Sequence, residues 1–163
     1  MSYPALAIAN YFIDKGNVED DPLDHLRLQK LVYIAHGWNL AVHGEPLIRE
    51  AVEAWKYGPV IPSLYHQFKR WGNDLITENG VELSGMRARV PNVEYGDERV
   101  RQVLDAVWDG YKRFSGVQLS NLTHESGTPW DATWREQRGK GSARIPNDRI
   151  EKHFLTRARR SHG

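Results

Sequence analysis

Residues 28–38, Leu-Gln-Lys-Leu-Val-Tyr-Ile-Ala-His-Gly-Trp, constrain the fold of this chain more than any other stretch. Leu28, Leu31, Val32, Ala35, Trp38 and Val42 recur at the spacing of one helix face. A long amphipathic helix is therefore expected, capped by Asp24 and running to about His43. Gly37 falls inside it. A glycine in a helix interior costs about 1 kcal/mol relative to alanine. Close approach of another backbone or of a large ring accounts for such a cost, and Trp38 is expected to neighbour that ring.

Further helices follow from the same spacing argument. Ala5, Ile8, Ala9, Phe12 and Ile13 share one face of a first helix, with Ser2 as its cap, Pro4 in its first turn and Gly16 as its stop. Pro62 opens a helix carrying Ile61, Leu64, Tyr65, Phe68 and Trp71 on its apolar side, and Gly72 closes it. Asp97 starts another, with Val100, Val103, Leu104, Val107, Trp108, Tyr111 and Phe114 facing inward. Short helices are expected over 119–125, 130–137 and 147–157. Between the helices, residues 51–57 place Trp55 and Tyr57 two apart, as a short strand with one aromatic face would, ended by Gly58-Pro59. Val81-Glu82-Leu83 and Arg87-Ala88-Arg89-Val90 can pair as a hairpin around Ser84-Gly85. The sum is a mainly α fold, a compact single-domain helical bundle with a small β-hairpin or short β element. The length of 163 residues suits one domain.

Composition removes several chemistries. No cysteine is present, which excludes disulfides, thiolate zinc sites, iron–sulfur clusters and cysteine nucleophiles. The seven histidines include no His-Glu-x-x-His pair, and neither metal nor cofactor is expected. No serine sits in a nucleophile elbow, and Gly139-Lys140-Gly141-Ser142 is not a phosphate loop. Lys and Arg number 22 against 21 Asp and Glu, a balance that argues against general binding to nucleic acid. No apolar run approaches the ~20 residues of a membrane span. The first fifteen residues lack the basic start of a signal peptide. A cytoplasmic location without membrane attachment is expected.

Three local features have both a functional and a structural reading. His124 could serve as a general base oriented by Glu125 or Asp131, or as a buried hydrogen-bonding residue beside the Pro129-Trp130 turn. Trp55-Lys56-Tyr57-Gly58-Pro59 could clamp a partner, or Trp55 could be core with Tyr57 packed over the turn. Arg157-Ala158-Arg159-Arg160 could touch nucleic acid, or be a solvated, frayed end.

One ordered series of motifs resembles the Panacea antitoxin domain, the family of SocA-type antitoxins and phage-associated proteins of the same kind. The series is Leu28-Gln29-Lys30-Leu31-Val32-Tyr33, Gly37-Trp38, Gly44-Glu45-Pro46-Leu47, Glu53 through Pro62, Leu119-Ser120 with Thr123-His124, and Pro129-Trp130. The resemblance implies a Panacea-like domain over residues 1–156, followed by a basic flexible tail at 157–163. It implies structural roles for Leu28, Gln29, Lys30, Gly37, Trp38, Gly58, Pro59, His124, Pro129 and Trp130. It also implies a non-enzymatic antitoxin of a two-gene, type II system that neutralises a cognate toxin protein by direct binding. Trp55, Lys56, Tyr57, Tyr65, Arg70 and Trp71 are then the candidate contact residues. The alternatives are an adaptor delivering the toxin to an ATP-dependent protease and, from a different class, an enzyme using His124.

Overall fold

A computed structural model describes residues 2–162. Among them the chain forms α1 (Ala5–Val18), α2 (His25–His43), a hairpin of β1 (Glu53–Trp55) and β2 (Gly58–Val60), and α3 (Pro62–Phe68) with a 3-10 turn at Lys69–Trp71. A second hairpin follows, β3 (Glu82–Ser84) and β4 (Arg87–Arg89), then α4 (Glu98–Tyr111), α5 (Gly116–Thr123), α6 (Pro129–Glu136) and α7 (Asn147–His162). The mainly α expectation holds, with two antiparallel hairpins in place of one β element.

α2 is the axis, with α1, α4, α5 and α7 packed around it. Asp24 caps it by accepting from the Arg27 N–H at 2.8 Å, and Gly44 ends it in the left-handed conformation at φ 67°. Because neighbours surround it, α2 is buried on more than its apolar stripe. Arg27, Gln29, Lys30, His36 and Asn39 are buried with Leu28, Leu31, Val32 and Ala35. The expected stripe is corrected at its far end, where Val42 is exposed and Trp38 only half-buried. Each buried polar residue is spent on a segment wrapping the helix. Asn39 donates to the Glu45 carbonyl at 2.8 Å. His36 Nδ1 accepts from the Leu47 N–H at 3.3 Å, and its Nε2 pairs with Asn147 Oδ1 at 3.0 Å. Arg27 forms a two-pronged pair with Asp21, at 3.0 Å on each arm, and also meets the Lys112 carbonyl. That pairing holds the Asp21 carboxyl below the ordinary carboxylate range.

Gly37 has the neighbour its position requires. The ring of Phe154 from α7 lies on it so closely that a Cβ at residue 37 would overlap the ring, with Cζ 2.7 Å away. Trp38 meets the same ring edge-on at 5.3 Å.

Several boundaries differ from expectation for local reasons. Ser2 does not cap α1. Glu50 does so from a distance, its carboxylate accepting from the Ala5 N–H at 2.9 and 3.1 Å. Gly16 does not stop α1, which continues to Val18; it admits the returning chain, whose Asp21 N–H bonds the Gly16 carbonyl at 2.7 Å. Gly58-Pro59 does not end a strand but begins β2, paired with β1 in the register Ala54–Pro59 and Trp55–Gly58. α5 starts at Gly116, earlier than expected, because Ser115 and Gln118 form a capping box. α7 runs past residue 157 to His162, so Arg157 to Arg160 are helical; Gly163 lies outside the described residues. Asp97, Pro62 and the hairpin around Ser84-Gly85 stand where the sequence places them.

Candidate functional site

Gln29, Lys30, Ser120 and Trp130 of the motif series meet at the β1–β2 hairpin and the residue that follows it. Backbone carbonyls along it are held by side chains from α2, α5 and α6. Gln137, at the end of α6, donates to Ala54 O at 3.1 Å. Trp130 Nε1 on α6 donates to Trp55 O at 2.6 Å. Ser120 Oγ on α5 donates to Tyr57 O at 3.0 Å. Lys30 Nζ on α2 donates to Pro59 O at 2.8 Å. Gln29 closes the set by pairing both ways with Ile61, giving to its carbonyl and accepting from its N–H, each at 3.0 Å. Behind the hairpin, the Ala54 N–H donates to the Ala143 carbonyl at 2.9 Å. A segment held at this many points has little freedom to rearrange. Replacing Ser120 by alanine leaves the Tyr57 carbonyl without its donor. The expected loss is about 1 kcal/mol of unfolding free energy, read by urea denaturation.

What the clamp presents is an aromatic groove of about 460 Å³ between the hairpin, α3 and the start of α2. Trp55 and Tyr65 meet edge-on at 5.1 Å, and His25 faces Tyr65 at 5.6 Å. Tyr57 stands at the hairpin tip, 70 % exposed, with Lys56 beside it over its ring at 5.4 Å. Burial lowers the pKa of His25, and its Nε2 has no hydrogen-bond partner among the described residues. Lys30 lies at the floor, 1 % exposed, and burial pushes its ammonium down to about 7. Gly58 makes room for it: φ is 121° there, and a Cβ would stand 2.9 Å from Lys30 Nζ.

Of the expected contact residues, Trp55, Lys56, Tyr57 and Tyr65 come together in this groove. Arg70 and Trp71 do not line it; they sit on the 3-10 turn after α3, with Trp71 partly packed against the core. His124 takes a structural position. It ends α5, its Nδ1 pairs with the Ser120 carbonyl, and its ring meets Trp130 edge-on at 5.5 Å. Among the described residues the His124 ring makes its hydrogen bond to the Ser120 carbonyl and to neither Glu125 nor Asp131, whose carboxylate accepts from the Gly127 N–H at 2.9 Å and from Arg135 at 3.0 Å. Arg157 and Arg160 line a separate groove with Lys152, His153 and Glu125. Among the described residues no cluster of three or more His, Asp or Glu could hold a metal, and no helix is long and apolar enough to cross a membrane.

Gln29 and Lys30 were legible as motif members but not as the hairpin's donors. The available signal was two adjacent polar residues in a helix whose flanking positions are apolar.

The fold and site define a helical domain organised around a clamped hairpin and an aromatic groove. Residues 28–131 match the family model described as antitoxin SocA-like, Panacea domain, and the chain belongs to this family. It is similar to antitoxin SocA of Caulobacter vibrioides (strain NA1000 / CB15N), with 38% identity over 133 residues, 80% of this chain and 70% of that protein. No solved structure matches. Family membership supports an antitoxin role.

Proposed function

We propose that this protein is the antitoxin of a type II toxin–antitoxin system and restrains a co-encoded toxin by direct contact through the hairpin groove. It acts as a cytoplasmic binding protein, without cofactor or catalytic step. The observation that carries the reading is the clamp. Side chains of Gln29, Lys30, Ser120, Trp130 and Gln137 fix the hairpin backbone, while Tyr57 and Lys56 at its tip face outward. Rigid display of aromatic and cationic side chains suits partner binding, because little freedom is lost on association.

Growth rescue and co-purification with the co-encoded toxin test the reading together. The wild-type chain is expected to restore growth and to elute with the toxin. Tyr57→Ala combined with Lys56→Glu is expected to weaken the complex about a hundredfold, the effect of losing an interface anchor and reversing a charge. Both side chains are exposed, so the melting temperature should stay within about 2 °C of wild type. Rescue by the double variant at wild-type strength would place the contact elsewhere, and no complex with the wild-type chain would remove direct binding altogether.

A further inference from the structure

The groove's electrostatics specify more than an aromatic contact. Lys30 is buried, yet among the described residues its ammonium has a single acceptor, the Pro59 carbonyl. An ammonium offers three donors, and a buried cation without a counter-charge attracts any anion brought near it. The titratable and charged groups around it are His25 on its own helix, Lys56 and Tyr57 on the hairpin, Tyr65 on α3 and His124 on α5. Among the described residues no carboxylate lines the groove. The acidic residues beside groove-lining His25 and Trp55 are already used: Asp24 caps α2, and Glu53 accepts from Trp55 Nε1 at 3.0 Å. Elsewhere buried or half-buried cations of this protein do have carboxylate partners, Arg27 with Asp21 and Lys15 with Asp105. A positive floor and lip with aromatic walls and no internal anion is a complementary surface awaiting negative charge.

We infer that the groove is a docking slot for a segment of the toxin that carries an acidic side chain next to a large apolar one. The apolar side chain packs between Trp55, Tyr57 and Tyr65, and the carboxylate settles over Lys30 with Lys56 at the rim. The identity of the occupant rests on the proposed function; the chemistry of the slot does not. Lys30 acts through the groove floor, where its charge is less screened by water than charges at the surface. Binding therefore favours the protonated ammonium, and Lys30 takes up a proton wherever the free protein has lost it.

A matched peptide pair tests this on the intact protein: Ac-Trp-Glu-NH2 and its uncharged twin Ac-Trp-Gln-NH2, titrated by calorimetry and by NMR of the Lys30 side chain. At pH 6 the Glu peptide is expected to bind about tenfold more tightly, the ratio that follows if binding raises the Lys30 pKa by one. That advantage fades as pH rises above about 7, the free value of Lys30. Lys30→Met is expected to remove the pH-dependent part of the advantage, leaving only the smaller share that Lys56 supplies. Lys56→Ala reduces it without moving the pH at which it fades. In the wild-type protein, the Lys30 titration should move upward on adding the Glu peptide, a readout that needs no variant. Equal affinity for the two peptides, no binding of either, or an advantage independent of pH and of Lys30 would overturn the slot. Failure to restrain the toxin despite the expected peptide preference would instead remove the toxin as occupant.

Discussion

Gly37→Ala is expected to destabilise the protein by about 3 kcal/mol, lowering the melting temperature by roughly 8 °C. The sign is the informative part. In an exposed helix the same substitution stabilises by about 1 kcal/mol, because alanine loses less backbone freedom than glycine. Here the added methyl meets the Phe154 ring, whose Cζ would be 2.7 Å from it. The ring has nowhere to retreat. It is 3 % exposed and held by Tyr33 at 6.1 Å, Trp38 at 5.3 Å and His153 at 5.2 Å between ring centroids. Relief requires α7 to shift away from α2, which strains Asn147 where it pairs with His36. Overpacking of this kind outweighs the helix-propensity gain. Phe154→Ala alone leaves a cavity and costs about 3 kcal/mol. In combination, the methyl added at position 37 occupies part of the space the ring leaves, so the double variant is expected to be more stable than the sum of the two losses by about 1–2 kcal/mol. Urea denaturation of the wild type, both singles and the double gives that coupling directly. A stabilised Gly37→Ala protein, or strictly additive losses, would show that the two residues do not touch as described.

Gly37 also shows which features the sequence could yield. A glycine inside an apolar helix states that something large lies close, and periodicity alone places that helix; only the partner, Phe154, is out of reach from sequence. Caps read well because they are local: Asp24 and Asp97 each accept from an N–H three residues on. Glu50 was missed for the opposite reason, since it caps α1 from a loop 45 residues away. The β2 strand was missed because proline reads as a breaker. Pro59 is harmless there, as Ala54 opposite it sends its N–H to Ala143 and its carbonyl accepts from Gln137. No bond is asked of the N–H that proline lacks. The candidate site divides along the same line. Its exposed aromatics stood out by residue type. Its clamp did not, because apolar periodicity treats Gln29 and Lys30 as surface residues when their partners are the backbone of a distant hairpin.

Lys30→Met is expected to do the reverse of Gly37→Ala and stabilise the protein, by about 3 kcal/mol at pH 6. Burial lowers the Lys30 pKa from 10.5 to about 7. At pH 6 the folded protein therefore holds a desolvated ammonium, at a cost of about 5 kcal/mol by the size of that displacement. Methionine fills a similar volume without the charge. It forfeits the bond to the Pro59 carbonyl, worth about 1–2 kcal/mol, so the gain is smaller than the cost removed. The pH dependence separates this cause from any general effect on packing. The folded pKa lies below the unfolded one, so between about 7 and 10.5 the unfolded chain binds more protons than the folded. Wild-type stability should rise across that window from this residue. Below about 7 both states are protonated and the penalty is whole; above about 10.5 it is gone. The advantage of Lys30→Met over wild type should accordingly be greatest at pH 6 and shrink by about pH 9.5, measured by urea denaturation of both proteins at each pH. A difference that does not change with pH would mean the ammonium is not desolvated. The expected outcome sets stability against binding at a single residue. The variant that folds most firmly at pH 6 is also the one expected to lose most of its preference for an acidic partner segment, because the uncompensated charge that weakens the folded protein is what a carboxylate would neutralise.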